Sequence, residues 1–166
     1  MQEIRMPPSL FRDAMARLGA AVAVVTSDGP AGRCGLTASA LCSVTDAPPT
    51  VLVCVNRGSA LNPVMRANGV IGINLLGAGD AALSDTFAGR TGLPMADRFD
   101  ARWGRGETGV PLLRGAAAAL EGRIADVVER GTHSLLLVEL SRIELGPGEV
   151  GGLVWFSRAY HGLRAA

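Results

Sequence analysis

The sequence contains no lysine. All 16 basic residues are arginine, and the chain contains 15 acidic residues. A phosphate-binding loop of the Walker type, a Schiff-base enzyme and a Ser-Lys hydrolase all need a lysine, so the composition excludes these three classes.

Histidine and cysteine are scarce as well. The two histidines, His133 and His161, lie far apart in sequence, and neither belongs to an HExxH motif. The cysteines, Cys34, Cys42 and Cys54, show no CxxC spacing and fall in apolar, strand-like segments. The sequence therefore predicts no metal site, and it predicts buried free thiols in a cytoplasmic protein.

Aromatic residues make up only 4% of the chain, and the net charge is +1. Neither value supports nucleic-acid binding or attraction to an anionic membrane. No apolar run reaches the roughly 18 residues that span a bilayer, and the mixed-charge, proline-bearing start does not resemble a signal peptide. With 166 residues, the chain is predicted to form one domain, residues 1–166.

The hydrophobic pattern predicts a mainly β protein with helical insertions. We expect a helix capped by Ser9 that packs through its apolar side and ends near Gly19, and a second short helix over 59–68. Residues 88–109 carry no strand signal, and 158–166 are expected to form a tail. Strands are predicted at 20–28, 34–45, 50–56, 70–76, 116–128, 132–145 and 152–157. Short turns between these strands favour an antiparallel barrel.

The segment 34–45, CGLTASALCSVT, contains no charged residue. Read as one strand, it places apolar residues at even positions and hydroxyls at odd positions, interrupted by Leu41. A solvent-facing strand surface normally includes charged residues, so this neutral face indicates a surface covered by a ligand or by another subunit. The alternative is an ordinary water-facing hairpin strand.

Residues 77–82, GAGDAA, match the dinucleotide fingerprint G-x-G-x-x-A after a predicted strand. The fingerprint also requires a second parallel strand that ends in an acidic residue, and the following segment has no strand signal. A dehydrogenase with a bound nicotinamide and no flavin is therefore kept only as an alternative.

Several motifs, in the same order along the chain, resemble those of a known family. LTASALCSVTDAPPTVLVCVNRGS, FAGR at 87–90, GTH at 131–133 and GLVWFSRAYHGL at 152–163 are similar to the flavin reductase family with an FMN-binding split β-barrel. The resemblance implies hydride transfer from NADH or NADPH to FMN, with FAD or riboflavin as alternatives. It also implies a homodimer that supplies a separate flavin-dependent monooxygenase. A non-catalytic FMN-binding electron carrier or sensor is the competing interpretation.

The resemblance also implies which residues contact the flavin. The residues along the edge of the isoalloxazine ring would be Thr37, Ala38 and Ser39. Those under the ribityl chain would be Ser43, Val44 and Thr45. Those near the phosphate would be Asn56, Ser59 and Arg90.

Three further residues complete the implied site. Phe87 would shape the pocket wall, and Tyr160 would lie near the flavin. His133 would lie on the nicotinamide side, where it orients the dinucleotide and tunes the reaction by its charge. Such a reaction needs no strong acid or nucleophile, because the two cofactors carry the hydride.

Overall fold

The computed structural model describes residues 6–164, which form a mainly β protein with three α-helices. The helices are α1 (Pro8–Met15), α2 (Leu61–Asn68) and α3 (Ala81–Phe87), followed by a 3₁₀ turn at Met95–Arg98. The strands are β1 (Ala20–Ala21), β2 (Ala23–Ser27), β3 (Cys34–Ala38), β4 (Leu41–Asp46), β5 (Pro49–Asn56), β6 (Val70–Leu75), β7 (Trp103–Arg105), β8 (Pro111–Leu113), β9 (Ala118–Arg130), β10 (His133–Leu145), β11 (Gly152–Phe156) and β12 (Ala159–Leu163).

Seven strands form the main sheet, in the order β3-β2-β6-β9-β10-β5-β4. Its two edge strands, β3 and β4, are consecutive in the chain and are joined only by Ser39 and Ala40. The sheet must therefore curl until its edges approach each other. The carbonyl of Ala40 accepts a hydrogen bond from Cys54 N at 2.9 Å, which holds the connection against β5.

This arrangement corrects two expectations. Segment 34–45 is not one strand but two, which break at residues 39–40 and run along opposite edges of the sheet. Every strand pair among residues 6–164 is antiparallel, including both pairs made by β6. The dinucleotide fingerprint needs a parallel neighbour, so the Rossmann alternative is wrong.

The core lies on both faces of the sheet. β2 is buried along its whole length because its two faces pack against different clusters of apolar residues. Its two hydroxyl groups are satisfied inside the protein: Thr26 Oγ1 donates to Pro111 O at 2.6 Å, and Ser27 Oγ donates to Val70 O at 2.7 Å. Full burial of this strand is possible because each polar group has a partner.

The uninterrupted apolar sequence of residues 50–56 predicts that β5 is buried on both faces. Val53 and Val55 are buried, but Leu52 and Cys54 are only half-buried. The face that carries Leu52 and Cys54 borders open cavities, so nothing within residues 6–164 covers it fully.

Three strands appear among residues 6–164 where none was predicted. Residues 88–109 contain β7, which pairs in a small hairpin with β8, just beyond this segment. The expected tail contains β12, which pairs with β11 after a turn in which Ser157 and Arg158 have φ of 51° and 62°. Serine and arginine are not the usual residues for such left-handed turn positions, so the hairpin carries no turn signature.

α1 begins at Pro8 with Pro7 as its N-cap residue, so the cap predicted at Ser9 is wrong. Within residues 6–164, nothing buries the apolar side of this helix. The exposed large apolar residues of the helix and the following turn are Leu10 (56%), Phe11 (55%), Met15 (46%) and Leu18 (62%). We call these four residues the α1 apolar surface.

The three cysteines differ in environment. Cys34 is buried, and burial together with the nearby Asp28 raises the pKa of its thiol to about 11. Cys54 is half-buried, whereas Cys42 is exposed on β4, so the expectation that all three are buried is wrong. No helix among residues 6–164 has the length and apolar character needed to cross a membrane.

Glu121 on β9 is fully buried and anchors the turn between β7 and β8. Its carboxylate accepts hydrogen bonds from Thr108 Oγ1 (2.6 Å), Thr108 N (2.8 Å) and Glu107 N (3.0 Å), and Arg142 lies 3.7 Å away. Burial raises the pKa of Glu121, but the three hydrogen bonds and the Arg142 charge outweigh burial and leave the pKa below its usual value.

Candidate functional site

A groove opens where β3 ends and the chain crosses to β4. It consists of two cavities of about 460 and 250 Å³ that share Thr37, Ser39 and Ala88. The larger cavity lies between the ends of β3 and β5, the start of α2 and the end of α3. The smaller is closed by β11 and β12. The break in the predicted strand is thus the centre of the groove.

The groove brings together most of the predicted site residues. Those that line the larger cavity are Thr37, Ala38, Ser39, Asn56, Ser59, Phe87 and His133. Those that line the smaller cavity are Thr37, Ser39, Arg90 and Tyr160. The polypeptide therefore places residues from five separate segments around one space.

Three predicted residues lie elsewhere. Ser43, Val44 and Thr45 are on the exposed part of β4 and line neither cavity of the groove. Val44 is 51% exposed, and Thr45 Oγ1 accepts a hydrogen bond from Ala47 N at 3.2 Å. Their contact with a flavin stays a prediction.

The centre of the groove is neutral and small. Thr37 Oγ1 donates to Ser84 O at 2.6 Å, which ties β3 to α3, and Ala38 is buried. The Ser39 hydroxyl makes no hydrogen bond within residues 6–164, although it lines both cavities. It is therefore free to bond to a ligand.

The far side of the larger cavity is built by the end of β5. Asn56 pairs in register with His133 at the start of β10, so the two side chains begin from adjacent backbone positions. Asn56 Oδ1 accepts from Gly58 N at 2.7 Å, and Ser59 Oγ accepts from Leu61 N at 3.2 Å. These bonds fix the tight turn that leads into α2.

His133 is half-buried, and its Nδ1 lies 2.9 Å from Thr132 Oγ1. Arg98 lines the same cavity, with its Nε donating to Leu93 O at 2.9 Å. Arg98 was not among the predicted site residues. The larger cavity thus combines a neutral centre with an imidazole and a guanidinium group.

Phe87 is only 2% exposed, and its role is more structural than its position in the motif indicated. Its ring packs against Phe99 and Trp103 with centroid distances of 5.1 and 5.2 Å. A Cβ at Gly35 would stand 2.7 Å from this ring, so Gly35 leaves the space that Phe87 fills. We call Phe87, Phe99 and Trp103 the aromatic cluster.

The smaller cavity contains a polar network that the sequence did not reveal. Asp85 Oδ1 accepts hydrogen bonds from Arg90 Nη1 at 2.6 Å and from Tyr160 Oη at 2.8 Å. Tyr160 Oη also lies 2.8 Å from Ser84 Oγ. Burial, supported by the hydrogen bond to Asp85 and its charge, raises the pKa of Tyr160 against the opposing effects of Ser84 and Arg90. The phenol is therefore neutral at physiological pH.

Trp155 was also missed as a site residue, although it lies within the quoted GLVWFS motif. Its ring is 4.8 Å from Tyr160 between centroids, and the Arg90 guanidinium carbon is 5.6 Å from its centroid. Arg90 is thus positioned by a carboxylate and by aromatic faces.

Comparison with known proteins decides the family. Residues 15–164 match the model of the flavin reductase like domain. The chain belongs to the flavin reductase family. The family resemblance predicted from the motifs is confirmed, and so is the split-barrel fold class.

Individual flavin reductases are similar over nearly the whole chain. The 4-hydroxyphenylacetate 3-monooxygenase reductase component of Pseudomonas aeruginosa is 51% identical over 99% of this chain and 96% of its own length. The FMN reductase (NADH) RutF of Cronobacter sakazakii is 54% identical over 92% and 91%. The Streptomyces globisporus NADH:FAD oxidoreductase SgcE6, in complex with NAD and FAD fragments, superposes with a TM-score of 0.83 at 29% identity, over 92% and 90%.

Proposed function

We propose that this protein is an NADH:flavin oxidoreductase that reduces FMN and supplies the reduced flavin to a separate monooxygenase. The observation that carries the proposal is the neutral groove at the β3–β4 break, with an arginine in each of its two cavities, in a chain of the flavin reductase family. The names of the similar proteins support FMN, NADH and service to a monooxygenase.

The residues of the groove fit a flavin. The larger cavity, of about 460 Å³, lies within the usual size range of ligand sites, roughly 300–1,000 Å³, and the cavity of about 250 Å³ adjoins it. The uncharged segment 37–40 suits the uncharged ring, and the unbonded Ser39 hydroxyl suits the polar edge of that ring. Arg90 can bind a phosphate through two parallel hydrogen bonds.

A bound flavin would supply the hydride-accepting ring, so the protein needs to hold two planar groups face to face and to keep water out. Thr37 and Ala38 give the groove a rigid edge, since one is bonded to α3 and the other is buried. His133, opposite Asn56, is placed to orient the nicotinamide in the larger cavity. We assign it a positioning role and no obligatory proton transfer.

We also propose that the protein is a homodimer. The α1 apolar surface exposes four large side chains, and Val44 on the edge strand β4 is 51% exposed. Large apolar side chains exposed together on one helix and the turn after it mark a protein contact. Size-exclusion chromatography with light scattering should give the mass of two chains, and Phe11→Asp should shift the protein toward the monomer. A monomeric wild type would overturn this part of the proposal.

The location is proposed from the cysteines. All three are free thiols, which fits a reducing compartment such as the cytoplasm. Retention of three unmodified thiols in protein purified from that compartment, counted by mass spectrometry after alkylation, is the expected result.

The central experiment is anaerobic titration of the purified protein with FMN, followed by addition of NADH. We expect NADH to bleach the flavin absorbance, and reduced flavin to appear in the filtrate after ultrafiltration. Parallel reactions with FAD, riboflavin and NADPH give the preferences for each substrate. A flavin that binds but stays oxidised with either dinucleotide would support the electron carrier or sensor instead and would refute the reductase.

A further inference from the structure

A third cavity, of about 310 Å³, lies outside the flavin groove, between the β7–β8 hairpin and the turn before β3. Its polar lining is dominated by three arginines, Arg33, Arg105 and Arg114. We call this cavity the arginine cleft. The single acidic residue that lines it is Asp100, so the lining carries an excess of positive charge.

The charge of Asp100 is already engaged elsewhere. Its Oδ1 accepts from Arg102 N at 2.9 Å, and its Oδ2 accepts from Arg102 Nε at 3.3 Å. Arg102 itself does not line the cleft. Asp100 therefore does little to neutralise the three guanidinium groups that do.

Two of these guanidinium groups are held in place. Arg33 Nε bonds to Asp28 Oδ2 at 3.1 Å, and its guanidinium carbon lies 5.5 Å from the centroid of Phe99. Arg114 Nη1 donates to Ala101 O at 3.2 Å. Side chains that are fixed before a ligand arrives lose little conformational entropy when it binds.

Arg105 has no ion-pair partner within residues 6–164. Its guanidinium lies over Gly109, with Nη2 only 3.3 Å from where a Cβ would stand. Gly109 has a φ of 93°, a conformation that favours glycine, so the turn leaves this space open. The turn itself is anchored by the buried Glu121 through Thr108.

The remaining lining strengthens the case for an acceptor-rich ligand. Trp103 carries a buried indole N–H that has no hydrogen-bond acceptor within residues 6–164. Phe99, Trp103 and Pro111 supply apolar and aromatic walls. The cleft thus offers donors in excess and a surface on which a ring can stack.

We propose that the arginine cleft binds a dianionic phosphate group, from a nucleoside monophosphate or from free inorganic phosphate. Guanidinium groups bind phosphate oxygens through paired, charge-assisted hydrogen bonds. Asp28 balances the charge of Arg33, so the two guanidinium groups without an ion-pair partner within residues 6–164, those of Arg105 and Arg114, match the charge of a dianion. The cleft is separate from the flavin groove, because the two share no lining residue. The aromatic cluster lies between them: Phe99 and Trp103 line the cleft, and Phe87 lines the groove. The proposal does not depend on the reductase activity.

The test uses the full-length protein with Trp155→Phe, which leaves Trp103 as the only tryptophan. Titration with 5′-AMP and with inorganic phosphate should change the Trp103 emission to saturation and raise the melting temperature. Adenosine should do neither. Tighter binding of 5′-AMP than of phosphate would identify the nucleotide as the source, and equal binding would identify free phosphate; both results support the site.

Arg105→Gln and Arg114→Gln should each weaken 5′-AMP binding about tenfold or more, the loss expected for one charge-assisted contact. Arg123→Gln, an exposed residue on β9 outside the cleft, is the matched control and should leave the affinity unchanged. The FMN affinity of all three variants should stay within about twofold of that of the parent protein, because none of the three substituted residues lines the flavin groove.

Three results would overturn the proposal. The first is an equal response to sodium chloride at matched ionic strength, which would show charge screening only. The second is unchanged 5′-AMP and phosphate binding in both cleft variants. The third is the absence of any response to either compound in the parent protein, whatever its flavin reductase activity.

Discussion

Replacement of Arg90 by alanine should weaken the binding of FMN and leave the binding of riboflavin nearly unchanged. The two ligands share the same ring and chain, and only FMN carries a phosphate. Arg90 lines the smaller cavity, where its guanidinium is held by Asp85 and lies beside Trp155. If this side chain binds the phosphate, its loss affects one ligand of the pair.

The structure sets the expected size of the effect. A hydrogen bond to a charged partner contributes about 1.5–3 kcal/mol when well shielded, and an exposed ion pair about 0.2–1 kcal/mol. The Arg90 side chain is 54% exposed, and one of its N–H groups already donates to Asp85 at 2.6 Å. Its contribution to the free energy of FMN binding therefore falls between these limits. We expect about 1–2 kcal/mol, or roughly a 5- to 30-fold rise in the Kd for FMN.

The assay is fluorescence titration of both flavins against wild type, Arg90→Ala and Arg90→Lys. Lysine restores the charge but not the paired geometry, so it should recover part of the FMN affinity. Riboflavin serves as the internal control for damage to the cavity, because Arg90 also packs against Trp155 and Tyr160. Equal losses for both flavins would refute phosphate binding and leave Arg90 a structural role only.

Three further substitutions test other parts of the molecule. Ser39→Arg should reduce flavin affinity more than 100-fold without a change in circular dichroism. Ala125→Arg, at an exposed position of β9, is the control and should leave flavin affinity unchanged. Unchanged affinity in Ser39→Arg would show that the flavin binds elsewhere. His133→Ala should slow flavin reduction by NADH in stopped-flow experiments more than it weakens flavin binding. A larger effect on flavin binding than on reduction would refute the position of His133 on the nicotinamide side. Glu121→Gln should lower the free energy of unfolding by about 2–4 kcal/mol at pH 7. Because the folded pKa of Glu121 is held below 4.5, its contribution is present above that pH and is lost as the pH falls through the folded value, so urea denaturation should show the two proteins converging in acid.

Motif order predicted the family, and nine of the twelve site residues that the resemblance implied line the groove. Ser39 was also indicated by the residues themselves, because it belongs to an uncharged, hydroxyl-bearing segment, whereas Asn56 came from the resemblance alone. The break at residues 39–40 could not be predicted, because alternation continues across it while the chain changes from one sheet edge to the other. The residues after the break, Cys42 and Val44, therefore lost the burial that alternation had assigned to them.

The α1 helix shows the same limit in another form. The spacing of its apolar residues predicted a side that packs against the protein core. The apolar residues do share one side of the helix, but nothing within residues 6–164 covers Leu10 and Phe11. Asp85 and Arg98 were missed because a charged residue in a helix or loop has no periodic signature, and only the folded chain brings it to a cavity.

The two-residue connection between β3 and β4 links ligand binding to the folding of the whole sheet. Because it joins the first and last strands of the sheet, the space beside it exists only after every intervening strand has paired. A ligand held there would favour the fully assembled molecule over all partly unfolded forms. Amide hydrogen exchange in every strand of this sheet, including those farthest from the groove, should then slow together as the ligand concentration rises.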